Sequence, residues 1–345
     1  MKSENKAIDL AKLFFSICVV AIHTQLLGGV KYGYLLKCNI FRIAVPFFFI
    51  CSGYYLAVRI FKKNYDPKLY FKKNIKLYLL WCIFYTILYN IFALESFNIL
   101  NFMNDLRNVF YFKSTNIMWY LGVIVLFGVL VIHFKDKKII KYLFILSIIL
   151  YLCGLYFVTY KYLFINTNLE IGITFLSQYY LQNRYFLFTF MFPLIGFLIG
   201  KYDITKKMKF NYTIIGLILS QLLLFYESYK YYDKTSIYLE YDFFLMTPLV
   251  ATFLFILLNK INFKLPFSTK ILRKYSKGIF YYHYMFIFLY LFLERKIEND
   301  WFNLCSTHSS LYFLTILIST IIFIMILNLM KKIINLLLYK NRLYS

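Results

Sequence analysis

His23, Arg42 and Lys12 are the side chains of this sequence whose types and placement suit chemistry best. An imidazole can take a proton near neutral pH. A guanidinium keeps its charge and offers a planar fork to an oxyanion, phosphate or carboxylate, whereas an ammonium is a compact point charge. Of the 39 Lys and Arg residues, only Lys12 and Arg42 fall inside hydrophobic runs; the other 37 lie in connecting segments, in tails or at the edges of a run. At membrane depth such a group costs roughly 2.5–3.5 kcal/mol on insertion scales, so it signals function or a needed partner. Together these types suit proton transfer by a base and the holding of an anionic oxygen by fixed positive charge.

The elements that must hold these groups are helices. On the first apolar run, with Asp9 at 0° and 100° per residue, Lys12 falls at 300°, Ser16 at 340° and His23 at 320°. Four polar residues thus share one narrow stripe, which should face a cavity or other helices rather than lipid. Lys12 lies near one end and His23 roughly 16 Å further along at 1.5 Å per residue. Simpler readings stand beside this one: Lys12 snorkelling to the interface beside Asp9, and His23 as a hydrogen-bonded packing residue. The second run reads Phe41-Arg42-Ile43-Ala44-Val45-Pro46 and continues to Ser52-Gly53-Tyr54. Arg42 stands near its outer end, where it could also snorkel outward. Pro46 is expected to bend the helix, and Ser52 and Gly53 to permit close packing.

The composition demands a membrane. Hydrophobic residues make up 61% of 345, aromatics 23%, and the mean hydropathy is +0.65, more than one soluble core can bury. Runs long enough to cross about 30 Å of hydrocarbon fall near residues 7–28, 39–59, 75–94, 117–134, 139–160, 186–200, 211–227, 241–259, 279–294 and 310–331. The expected fold is therefore all-α, a polytopic bundle of about ten transmembrane helices forming one integral domain over 1–345. With the amino terminus inside, 27 basic residues fall in inner segments and ten in outer ones. This positive-inside asymmetry puts both termini in the cytoplasm. It also assigns the net charge of +24 to topology and contact with membrane lipid rather than to nucleic acid. No cleavable signal sequence is apparent. Six cysteines show no metal spacing; Cys38 and Cys305 both fall on the outer side. Glu95, Asp105, Glu170, Asp233, Glu240 and Asp242 in outer loops could meet a polar substrate or simply be solvated.

Asp9-Leu10-Ala11-Lys12, followed after ten residues by His23, resembles the first-helix signature of the membrane acyltransferase-3 family, in which Asp, Arg, ten residues and His occur. Arg42 through Gly53 is similar to that family's second-helix motif. Met118-Trp119-Tyr120-Leu121, Phe192-Pro193-Leu194-Ile195-Gly196-Phe197-Leu198-Ile199-Gly200 and Ser276-Lys277-Gly278-Ile279-Phe280-Tyr281-Tyr282-His283 match further motifs in the expected order.

The resemblance implies an O-acyltransferase that takes an acyl group, usually acetyl from cytoplasmic acetyl-CoA, to a hydroxyl of a surface glycan, cell-wall polymer or small molecule, in a bacterial plasma membrane and without a metal. His23 corresponds to the catalytic base and Arg42 to the second-helix arginine. Asp9, Lys12, Ser16, Ser52 and His283 would contact the donor or line its cavity. Lys12 stands where the family has Arg, which keeps the charge and loses the bidentate fork. Tyr284 follows His283 where many members have Pro. Transfer would be direct or would use a separate extracytoplasmic partner. The competing expectation is a transporter or export module without covalent chemistry, because a branch of the family is fused to amino-acid racemases and also favours Lys in its first helix.

Overall fold

A chain this apolar satisfies its backbone most economically as helix, because every N–H and C=O then bonds within its own segment. Helix accounts for 89% of the structure, and no strand occurs among the described residues. The computed structural model describes residues 5–61, 65–92, 118–134, 138–164, 189–235, 243–261, 266, 268–297 and 308–343, with single positions at 99, 103, 104, 172, 174, 176, 177, 301, 304 and 305. Of the outer-loop acids only Asp233 is among them; Glu95, Asp105, Glu170, Glu240 and Asp242 lie outside the described residues.

The helices are α1 (Lys6–His23), α2 (Lys31–Asn39), a 3-10 turn (Phe41–Ile43), α3 (Ala44–Ile60), α4 (Pro67–Phe92), α5 (Trp119–Phe134), α6 (Ile139–Gly154, extended by a π turn over Leu155–Thr159), α7 (Met191–Lys201), the short α8 (Ile204–Lys207), α9 (Phe210–Thr235), α10 (Thr247–Lys260), α11 (Lys270–Lys296) and α12 (Ser309–Leu343). Among the described residues, five helical stretches are long and apolar enough to cross a membrane: Lys31–Ile60, Pro67–Phe92, Ile139–Thr159, Phe210–Thr235 and Ser309–Leu337. α5, α7 and α10 are shorter apolar helices. α1 and α11 are set apart by charge: α1 carries Lys6, Asp9 and Lys12, and α11 carries Lys270, Arg273, Lys274 and Lys277 at its start. The ninth run, read as 279–294, is thus the middle of a 27-residue helix.

The second run also departs from its reading. The break falls at Ile40 (φ −126°, ψ −59°) and the 3-10 turn after it, not at Pro46. Pro46 is the third residue of α3, in the first turn, where a missing N–H deprives the helix of nothing.

By its contacts the chain forms two compact units, Met1–Gly28 with Lys264–Ser345, and Gly29–Phe263. In the first, α11 packs against both α1 and α12. Gly278 lies under Ile324, Tyr282 and Phe286 meet Phe323, and Tyr290 meets Tyr312. The partner number falls as the α11 number rises, so α11 and α12 run antiparallel.

In the second unit the closest approach is between α3 and α7. A Cβ on Gly53 would fall 1.9 Å from the Pro193 carbonyl oxygen, and one on Gly196 2.0 Å from that of Ile50. Gly200 meets Ala57, whose Cβ would be 2.8 Å from its own. Small residues four apart on both helices bring the backbones together, the arrangement that drives helix pairing where lipid removes the hydrophobic incentive. Beside it, Tyr120 of α5 donates its hydroxyl hydrogen to Phe48 O at 3.1 Å and accepts from Ser52 Oγ at 2.8 Å, while Phe49 packs on Trp119 and Tyr120. At the other end of the same helices Leu56, Ile60, Phe127 and Val131 share a core. On α9, the Glu227 carboxylate accepts from the Tyr160 hydroxyl and from the amides of Leu245 and Met246 at 2.8 and 3.2 Å, so it caps the start of α10 from outside.

Substituting Gly53→Ala or Gly196→Ala must push α3 and α7 apart. Each is expected to cost more than about 3 kcal/mol, beyond the usual overpacking penalty, and to lower the melting temperature of detergent-solubilised protein sharply. Gly172→Ala, with nothing within 4 Å of its Cβ, should leave it unchanged.

Candidate functional site

α1 presents its polar stripe to α11 residue by residue. Asp9, with 6% of its side chain exposed, accepts from Arg273 Nη1 at 2.6 Å. One turn on, Ser276 Oγ donates to the Lys12 carbonyl at 2.9 Å. At the end of α1, the His23 ring lies 5.4 Å from that of His283 and 5.2 Å from that of Tyr284, the latter edge-to-face. Partners 273, 276 and 283–284 rise with 9, 12 and 23, so α1 and α11 run parallel. The α11 side of this seam follows from helix geometry: with Arg273 at 0°, Ser276 falls at 300°, His283 at 280° and Tyr284 at 20°, a single sector of about 100°.

The chemistry of each position can be read from its bonds. His283 is fully buried, and its Nδ1 lies 2.7 Å from Ile279 O. A carbonyl only accepts, so Nδ1 holds the hydrogen and Nε2 the lone pair. That Nε2 is buried and meets no hydrogen-bond partner among the described residues. His23, by contrast, is exposed at the last position of α1, where a histidine is also favoured by the helix dipole. The result is a base on the open side of the seam, backed by a second imidazole of fixed tautomer and by an aromatic edge. Lys12 is half-buried near the other end. Ser16 is fully buried and turns its hydroxyl back to Leu13 O at 2.7 Å.

The sequence-derived residues therefore divide. Asp9, Lys12, Ser16, His23 and His283 belong to the first unit, and Asp9, Lys12 and His23 each meet α11 there. Arg42 and Ser52 belong to the second: Arg42 is half-buried within the 3-10 turn, and Ser52 is bonded to Tyr120. His133 and His308 are both exposed, as plain surface positions would be. None of the six cysteines is in a disulfide, and among the described residues no three His, Cys, Asp or Glu side chains converge to hold a metal. Arg273, Tyr284 and Tyr120 enter as partners that the sequence reading did not assign. A signal for Arg273 existed, since a buried Asp9 requires a cation and Arg273 shares a helix sector with Ser276 and His283.

Asp9 is the buried member of its pair and Arg273 the one with 32% of its side chain exposed. Removing the cation should therefore hurt more than removing the carboxylate, because it orphans the group that water cannot reach. Arg273→Met is expected to cost about 3 kcal/mol and Asp9→Asn about 1 kcal/mol, with the double variant more stable than Arg273→Met alone. Thermal unfolding of the four proteins in one detergent measures this.

A family model described as an acyltransferase domain matches residues 5–329. A serine/alanine racemase of Enterococcus gallinarum is 38% identical over 84 residues, covering 22% of this chain and 12% of the racemase. An amino-acid racemase of Enterococcus faecalis is 32% identical over 165 residues, covering 45% of this chain and 23% of that protein. The chain thus matches less than a quarter of the length of these curated relatives. No solved structure matches it. With the family match extending from the cap of α1 into α12, and with the motif histidines of α1 and α11 side by side, the chain belongs to the acyltransferase-3 family.

Proposed function

We propose that this membrane acyltransferase moves an acyl group, acetyl in the first instance, from cytoplasmic acetyl-CoA to a hydroxyl of a cell-surface glycan or cell-wall polymer. The observation that carries the reading is the exposed His23 set against the buried His283 and the half-buried Tyr284. His23 takes the proton of the acceptor hydroxyl as its oxygen attacks the thioester carbon. The carbonyl oxygen becomes anionic, then the carbon–sulfur bond breaks and the coenzyme A thiolate recovers the proton from the His23 imidazolium, giving an ester and a thiol. Arg42 enters on its chemistry and motif position: a fixed guanidinium suits an oxygen that gains negative charge. Lys12, roughly 16 Å from His23 along α1, suits the phosphate-bearing part of the donor. Asp9 holds the α1–α11 seam on the same side, and Ser16 and His283 belong to that seam; Ser52, like Arg42, enters on its motif position.

The chain is read as ten passes with both termini in the cytoplasm of a bacterial cell. Three pairings support this: α1 with α11 and α3 with α7 run parallel, as passes one and nine and passes two and six must, and α11 with α12 antiparallel, as consecutive passes must. Acyl-CoA then approaches from inside and the acceptor from outside, with transfer made directly or through a separate extracytoplasmic partner. A second reading, movement of a small molecule without covalent chemistry, is favoured by the two curated relatives being amino-acid racemases and by Lys12 in place of Arg.

Purified protein in liposomes, given radiolabelled acetyl-CoA, should release or transfer the label. His23→Ala should slow this by at least about a hundredfold, the lower end of general-base effects, while Lys12→Ala should mainly raise the donor KM. If folded wild type released none even with cell-wall extract added, the transport reading would stand, and uptake of labelled amino acids would show it.

A further inference from the structure

Arg42 sits in a place where the helix has been interrupted, and a residue far away in sequence holds the interruption open. After α2 the Ile43 amide bonds back three residues to Ile40 O at 3.3 Å, so the Asn39 carbonyl leaves the helical ladder. A carbonyl without a partner in an apolar region is costly. Gln221 of α9 supplies the partner: its Nε2 donates to Asn39 O at 3.3 Å and to Asn39 Oδ1 at 3.2 Å. The Asn39 amide in turn donates to Leu35 O and to Ser228 Oγ, both at 2.9 Å, and Ser228 donates to Phe225 O at 3.1 Å. Asn39 and Ser228 are buried. The two α9 residues stand seven apart, on one face of a 26-residue apolar helix.

In a continuous helix the Ile43 amide would have taken the Asn39 carbonyl, and that oxygen would not have needed Gln221. The 3-10 turn advances about 120° per residue where an α-helix advances about 100°. Three such residues rotate the chain by roughly 60° relative to an unbroken helix, and Arg42 is the middle one. The direction of its guanidinium therefore depends on the break, and the break depends on Gln221.

We infer that Gln221 is a positioning residue for Arg42, holding the α2–α3 break that aims the guanidinium at the reacting carbonyl. The aim rests on the acyltransferase reading; the dependence of the break on Gln221 does not. Gln221→Met keeps the length and apolar fit of the side chain and removes both donors, so it should fold and insert normally.

Two measurements on the full chain in nanodiscs test the proposal. In the first, Arg42→Cys is labelled with a methanethiosulfonate reagent, with rates read by peptide mass spectrometry. Adding Gln221→Met should change the labelling rate at position 42 by at least about threefold. An unchanged rate would overturn the inference, whatever the protein catalyses. In the second, Gln221→Met should lower kcat for acetyl-CoA consumption about tenfold at constant donor KM, and should lower nothing further in an Arg42→Ala background. An equal fall in both backgrounds would make Gln221 merely structural and overturn the inference. A changed labelling rate in a protein that consumes no acetyl-CoA would uphold the positioning and fault the acyltransferase reading instead.

Discussion

A carboxylate in an apolar bundle has to be paired, and the pairing of Asp9 with Arg273 sets the terms for everything along the α1–α11 seam. Helices that meet through apolar faces alone can slide or rotate with little penalty, since lipid tails serve about as well as leucine. A salt bridge at one end and the Ser276 bond to the Lys12 carbonyl one turn later leave a single register. In that register the last residue of α1 arrives at His283 and Tyr284. The candidate base thus owes its neighbours to a charge pair about 21 Å away, fourteen residues at 1.5 Å each.

The second unit solves the same problem with shape. Gly53, Ala57, Gly196 and Gly200 let α3 and α7 approach until backbone meets backbone, which replaces charge by dispersion over a large contact. Polar groups also mend places there where the regular ladder fails. Gln221 meets the carbonyl released at the break before Arg42, and Glu227 meets the amides that begin α10. Both sit on α9, so one helix repairs the irregularities of two others.

What could be read from the residues, and what could not, follows from range. Apolar length and the 3.6-residue period are local, so the all-helical class, the five long apolar stretches and the polar stripe of α1 were legible. The motif matches that pointed to His23, Arg42 and Ser52 are local words as well. The break at Ile40 was not legible, because Pro46 is the stronger local signal while the cause of the break is a glutamine some 180 residues on. Arg273 was hidden for a similar reason: it looked like one more inner-side cation, and only contact with Asp9 sets it apart. α11 exceeded its apolar core because a helix continues through polar residues when one face still packs, and hydropathy alone does not see that face.

In the proposed reaction His23 and His283, with rings 5.4 Å apart, act as one unit. A double-mutant cycle on acetyl-CoA consumption, with His23→Ala, His283→Ala and the pair, tests it most directly. Strong non-additivity is expected, with the double variant hardly slower than His23→Ala alone. Additive losses, or full activity in His283→Ala, would contradict it.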